Sequence, residues 1–79
     1  MNKKPEPMKP IIVEKLDDYR RIEVYENVDG TYRVSLEGES QGEYTTIRVK
    51  DHASREFLTE MKRFRDEMKR KYVPSASLI

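Results

Sequence analysis

The strongest constraint on this chain is a change of period. Between Tyr19 and Lys50 the apolar residues keep to one parity in each run: Ile22 and Val24, then Tyr32, Val34 and Leu36, then Thr45, Ile47 and Val49. From residue 53 onward the spacing lengthens, and Ala53, Phe57, Met61, Phe64, Met68 and Tyr72 recur every third or fourth position. A period of two marks strands with one buried face, whereas a period near 3.6 marks an amphipathic helix. The expected fold is therefore α+β: a three-stranded antiparallel meander whose apolar face packs on one C-terminal α-helix.

Parity also restricts the turns. A two-residue Asp29-Gly30 loop would pair Val24 with Ser35 and send core residues to opposite faces, so it is excluded. A three-residue loop of Val28, Asp29 and Gly30 pairs Val24 with Val34 and Ile22 with Leu36, with Gly30 at the left-handed position of a G1 bulge. The second hairpin needs an even loop. Glu39, Ser40, Gln41 and Gly42 supply four residues, which sets Val34 opposite Ile47.

Asp51 or Ser54 is the expected helix cap, Lys69, Arg70 and Lys71 suit its negative end, and Pro74 stops it. A helix over 52–72 is about 30 Å long, whereas strands of six or seven residues reach only about 20–23 Å. The end carrying Met68 and Tyr72 should therefore overhang. IIVEKL, residues 11–16, is expected as a short extra N-terminal strand or hydrophobic clasp that covers this end, unless a second subunit does. Residues 1–10 carry three of the four prolines among Lys and Glu and read as a flexible arm, 11–73 as a single domain, and 74–79 as a flexible tail.

At 79 residues one small core must suffice, since the chain has no cysteine for disulfides or thiolate metal sites. Charged residues make up 39% of the chain, yet the net charge is only +1, so any electrostatic recognition has to be local. No window approaches the roughly 20 apolar residues of a membrane span, and no signal-like stretch is present; a cytoplasmic location is expected.

With these registers the polar face of the sheet has rows of Arg21, Glu37 and Tyr44; Glu23, Ser35 and Thr46; Tyr25, Arg33 and Arg48; and Thr31 beside Lys50. Arg33 and Arg48 would stand directly opposite one another, which is unfavourable in isolation and relieved by an anionic partner. A ribbon of this width fits the major groove of duplex DNA, where arginine bonds guanine bidentately.

The strand order, the middle strand GTYRVSL and the single C-terminal helix resemble the arm-type DNA-binding domain of phage and transposon tyrosine integrases and the related plant ethylene-response-factor domain. The likeness spans about residues 19–72, with VKDHASREF where those families carry an aromatic-threonine lead into an alanine-rich helix. It implies duplex DNA binding through the sheet face opposite the helix, by Arg21, Tyr25, Arg33, Ser35, Thr46 and Arg48; the layout of the cationic patch adds Lys50, which would steer with Arg21. It also implies a stand-alone accessory protein of a phage or mobile element, because the chain ends where a catalytic domain would begin.

Other chemistry finds little support. His52 is the only histidine and lacks the convergent groups that a metal or catalytic site needs. Asp17 and Asp18 suit a turn. No enzyme, cofactor, membrane or small-molecule substrate is expected. The competing expectation is a protein-interaction or structural module, a homodimer using the overhanging helix end and a free strand edge.

Overall fold

A computed structural model of the chain describes residues 9–73. Four antiparallel strands form one sheet in the order β1-β2-β3-β4, with β1 at Ile12–Lys15, β2 at Arg20–Glu26, β3 at Tyr32–Gly38 and β4 at Tyr44–Ile47. The single helix, α1, runs Arg55–Tyr72. No helix among the described residues is long and apolar enough to cross a membrane.

Alternation sorts the two faces as expected. Ile22, Val24, Tyr32, Val34, Leu36 and Ile47 are buried beneath the Phe57, Met61, Phe64 and Met68 stripe of α1. Each such side chain, if fully buried, contributes roughly 1.5–3 kcal/mol. Ser54 is the N-cap, its hydroxyl accepting from the Phe57 N–H at 3.1 Å, so α1 begins about three residues later than expected and Ala53 stays exposed. The expected Pro74 stop and most of the expected arm and tail lie outside the described residues.

The first hairpin has the expected register, Val24 opposite Val34 and Ile22 opposite Leu36. Gly30 has a φ of 88°, and its N–H closes the turn onto the Asn27 carbonyl at 3.0 Å. IIVEKL supplies the fourth strand: Ile12–Lys15 pairs with β2, and Leu16 joins the core. Asp17 shapes the turn between them, one carboxylate oxygen accepting from the Tyr19 and Arg20 N–H groups, both at 2.8 Å.

The second hairpin departs from expectation by two residues. Val34 faces Thr45 rather than Ile47, and Tyr32 takes the place opposite Ile47. Parity allows a loop of four or six residues equally, and local backbone chemistry selects six. The last bond toward β4 runs from the Leu36 N–H to the Glu43 carbonyl at 2.9 Å, while β3 continues along β2 until the Glu39 N–H reaches the Tyr19 carbonyl at 3.0 Å. Gly38, with φ 112°, permits that approach: a Cβ there would lie 2.2 Å from the Tyr19 oxygen. The loop then leans over the end of the core, where the Ser40 hydroxyl accepts from Arg20 Nε at 2.8 Å.

The same loop ties down the end of α1. Glu43 accepts from Lys71 Nζ at 3.1 Å and from the Tyr72 hydroxyl, and the Arg20 guanidinium lies 5.3 Å from the centre of the Tyr72 ring. Met68 is only 2% exposed. Its cover comes from the chain itself, so the helix end needs no second subunit to bury it.

Candidate nucleic-acid interface

Of the residues expected to touch DNA, Arg21, Tyr25, Arg33, Ser35 and Thr46 lie on the outer face of the sheet, away from α1, while Arg48 and Lys50 lie past the end of β4, and the rows differ from those expected. Arg21 opposite Glu37, Glu23 opposite Ser35 and Tyr25 opposite Arg33 are observed pairs. The shift in the second hairpin places Tyr44 opposite Ser35 and Thr46 opposite Arg33, while Arg48 lies beyond the end of β4. The opposed pair of arginines is therefore not formed.

Arg33 finds an aromatic partner instead. Its guanidinium carbon sits 4.4 Å from the centre of the Tyr44 ring, a cation–π contact, and the residue is exposed. Arg33 makes no ion pair among the described residues. Tyr44 is 57% exposed, so the stack forms a raised feature rather than part of a core.

The centre of the face is neutralised from within. Glu23 is only 7% exposed although no layer covers it, because Arg21 Nε and the Tyr25 hydroxyl both donate to its carboxylate. The Tyr25 bond, followed by that from Arg21, holds this carboxyl below its ordinary range despite burial. The same bond to Glu23 pushes the Tyr25 phenol up to about 12. Ser35, 3% exposed, donates to Glu37 at 3.0 Å. Of the seven expected contact residues, Arg21, Tyr25 and Ser35 thus satisfy one another's neighbours and offer few spare polar groups.

The remaining four lie toward one corner. Thr46 and Arg33 share a row, and Arg48 and Lys50 line a shallow concavity of about 380 Å³ with Glu26, Asp29 and Thr31. Asp29 is occupied by the Thr31 hydroxyl at 2.6 Å and by the Thr31 N–H at 3.0 Å; these bonds, with Arg48 as a weaker influence, lower its carboxyl.

Tyr44 was not among the expected contact residues, since only the observed register brings it to Arg33. Val13 was also missed: β1 sets it opposite Glu23 on the outer face, 57% exposed. His52 packs edge-on against Tyr32, with ring centres 5.7 Å apart, and belongs to an aromatic cluster with Phe57. No group of three or more His, Asp or Glu residues that could hold a metal occurs among the described residues. No protein-family model, curated protein or solved structure matches the chain.

Proposed function

We propose that this protein is a small non-enzymatic binding module that engages duplex DNA through one corner of its outer sheet face. The observation that carries the reading is Arg33, exposed, stacked on Tyr44 and without a carboxylate partner among the described residues. Arg33 would bond phosphate or a guanine edge, Tyr44 would hold its plane and pack on the sugar-phosphate backbone, and Thr46 would add a hydroxyl. Arg48 and Lys50 would supply the flanking positive charge. Arg21, Tyr25 and Ser35 act in this reading as the scaffold that sets the pleat of the face. The placement of a sheet face opposite a single helix is in keeping with the integrase arm-type resemblance.

Three cations imply about three phosphate contacts and hence a slope of log K against log salt of about −2 to −3. Titration of a mixed-sequence duplex at several salt concentrations tests this. The expected result is weak binding with that slope, lost in Arg33→Ala/Arg48→Ala and kept in Arg63→Ala on the helix. No binding at low salt, or binding that the double substitution leaves unchanged, overturns the reading.

A further inference from the structure

On the outer face of β3 the side chains run long, short, long: Arg33, Ser35 and Glu37. The short one leaves a recess of about 320 Å³, lined by these three residues with Tyr25 and Asn27. Ser35, only 3% exposed, forms its floor. The volume falls at the small end of the roughly 300–1,000 Å³ of ligand clefts.

Both long side chains lean toward the row of Ser35, and each is held there by a partner of its own. Arg33 stacks on Tyr44, which pairs opposite Ser35. Glu37 accepts the Ser35 hydroxyl at 3.0 Å through Oε2. Arg33 and Glu37 nevertheless make no ion pair with each other or with any other described residue. Most neighbouring polar groups are already committed: the Tyr25 hydroxyl and Arg21 Nε donate to Glu23, and Asn27 Nδ2 donates to Thr31 Oγ1 at 2.9 Å. The Asn27 amide oxygen is a further acceptor. A cation and a carboxylate thus line one recess without meeting, each with hydrogen-bonding capacity left.

We infer that this recess binds an unpaired guanine base. A ligand that joins the two groups must offer adjacent acceptors to the arginine fork and adjacent donors to the carboxylate. Guanine alone among the bases does both in one plane: O6 and N7 accept from Arg33, and N1–H and N2–H donate to Glu37. Adenine and thymine alternate donors with acceptors, and cytosine has only its amino group to give. In a duplex the N1 and N2 donors are taken by cytosine, so the base comes from a single strand or from a free guanine nucleotide. The site does not rest on duplex binding, because Glu37 takes no part in that reading and Arg33 is the one contact residue common to both.

The probe is a fluorescent thymidine strand with one central guanine, compared by anisotropy with strands carrying adenine, inosine or 7-deazaguanine at that place. Guanine should bind about tenfold more tightly than adenine. Inosine, which lacks the N2 amino group, and 7-deazaguanine, which lacks the N7 acceptor, should each lose about tenfold, as for one hydrogen bond to a charged group. Glu37→Gln keeps an acceptor for the Ser35 hydroxyl and should bring guanine and inosine to the same affinity, with the far-ultraviolet spectrum unchanged. Arg33→Ala should do likewise for guanine and 7-deazaguanine. Amide shifts should centre on Asn27 and Ser35. Guanosine monophosphate should shift the same amides, which assigns a free nucleotide; shifts with the strand alone assign a base carried on a chain, and both keep the recess as a guanine site. No binding of the guanine strand, equal binding of guanine with adenine or with inosine, or shifts confined to Arg48 and Lys50 would overturn the proposal. Glu37→Gln should not weaken duplex binding, so the failure of one reading is seen apart from the failure of the other.

Discussion

The strands at the two edges of this sheet have the same length but opposite characters. β1 and β4 each have four residues, and each leaves two residues' worth of backbone donors and acceptors unpaired. β1 combines a proline, a backbone deflection at Ile11, an inward glutamate and a lysine, whereas β4 has two threonines, a tyrosine and an adjoining groove. The contrast teaches that β1 is closed by several features that β4 lacks, so the closed edge serves as the control for the open one.

The largest expected effect concerns the residue that makes β4 a short, free strand. Gly38 lets β3 follow β2 while β4 departs, and its Cβ position lies 2.2 Å from the Tyr19 oxygen at φ 112°. Gly38→Ala should lose about 3 kcal/mol or more in urea unfolding, since backbone must move on both sides. Gly30 also has positive φ, but nothing lies within 4 Å of its Cβ position. Gly30→Ala should therefore cost only about 1–2 kcal/mol, the left-handed penalty alone. Equal losses would mean that the close approach at Tyr19 does not hold the strands apart.

Next in size is a test of which way the β4 backbone faces. Thr45→Pro removes an N–H that points to β3 and leaves the Val34 carbonyl unpaired, at about 1–3 kcal/mol. Thr46→Pro removes an outward one and should cost less than about 1 kcal/mol beyond local strain. Thermal unfolding of the two variants compares them directly. If Thr46→Pro proves the more damaging, the ladder runs the other way and the open edge is not the one described.

The sequence made the two faces of the sheet legible because side-chain direction has a period of two, and a buried helix face leaves little freedom in it. Ile22, Val24, Val34 and Leu36 all went where alternation sends them, and the Gly30 turn followed from the same argument. Parity cannot distinguish a loop of four from one of six, because a shift of two residues keeps every side chain on its face. That choice depended on Gly38 approaching Tyr19 and on Ser40 meeting Arg20, contacts between residues about twenty positions apart. The error carried straight into the site, since a slip of two exchanges Arg48 for Thr46 opposite Arg33 and brings Tyr44 within stacking reach. IIVEKL was legible as a short strand or clasp, but its edge chemistry required knowing that β1 sits beside β2.

Acid and base titration act on opposite partners of the same bonds, carboxylates at low pH and phenols at high pH. Bonds from Tyr72, then Lys71, lower the Glu43 carboxyl, and the backbone bond from Tyr19 leads those that lower Asp17. Folded values below the unfolded ones mean that these groups stabilise the protein above their ordinary range near pH 4, and that this contribution disappears as pH falls through the folded values. Tyr25 has the opposite sign. Its value of about 12 exceeds the ordinary 10.0, so its contribution is complete below pH 10 and is lost as pH rises toward 12. Glu43 raises the Tyr72 phenol in the same way, so phenolate absorbance should show Tyr25 and Tyr72 titrating late, and Glu23→Gln should lower the Tyr25 value alone.

The smallest effect on stability should accompany the most visible change in behaviour. The Glu14–Arg65 pair is partly exposed, 35% and 25% for the two side chains, so screening limits it to less than about 1 kcal/mol. Replacing Glu14 with valine and Lys15 with threonine should leave the melting temperature nearly unchanged, because β1 keeps its ladder to β2 and gains β-branched side chains. The substitutions nevertheless remove the inward charge and the outward lysine that stop a second β1 from pairing at Val13. Sedimentation should then show concentration-dependent association of the variant, with amide protection appearing at Val13 and residue 15 and none at Tyr44. A variant that stays monomeric would mean that Pro10 and the turned-back Ile11 N–H suffice to close the edge. Association through β4 instead would show that the open edge accepts another copy whenever one is available, and the difference between the two edges would then lie in affinity rather than in access.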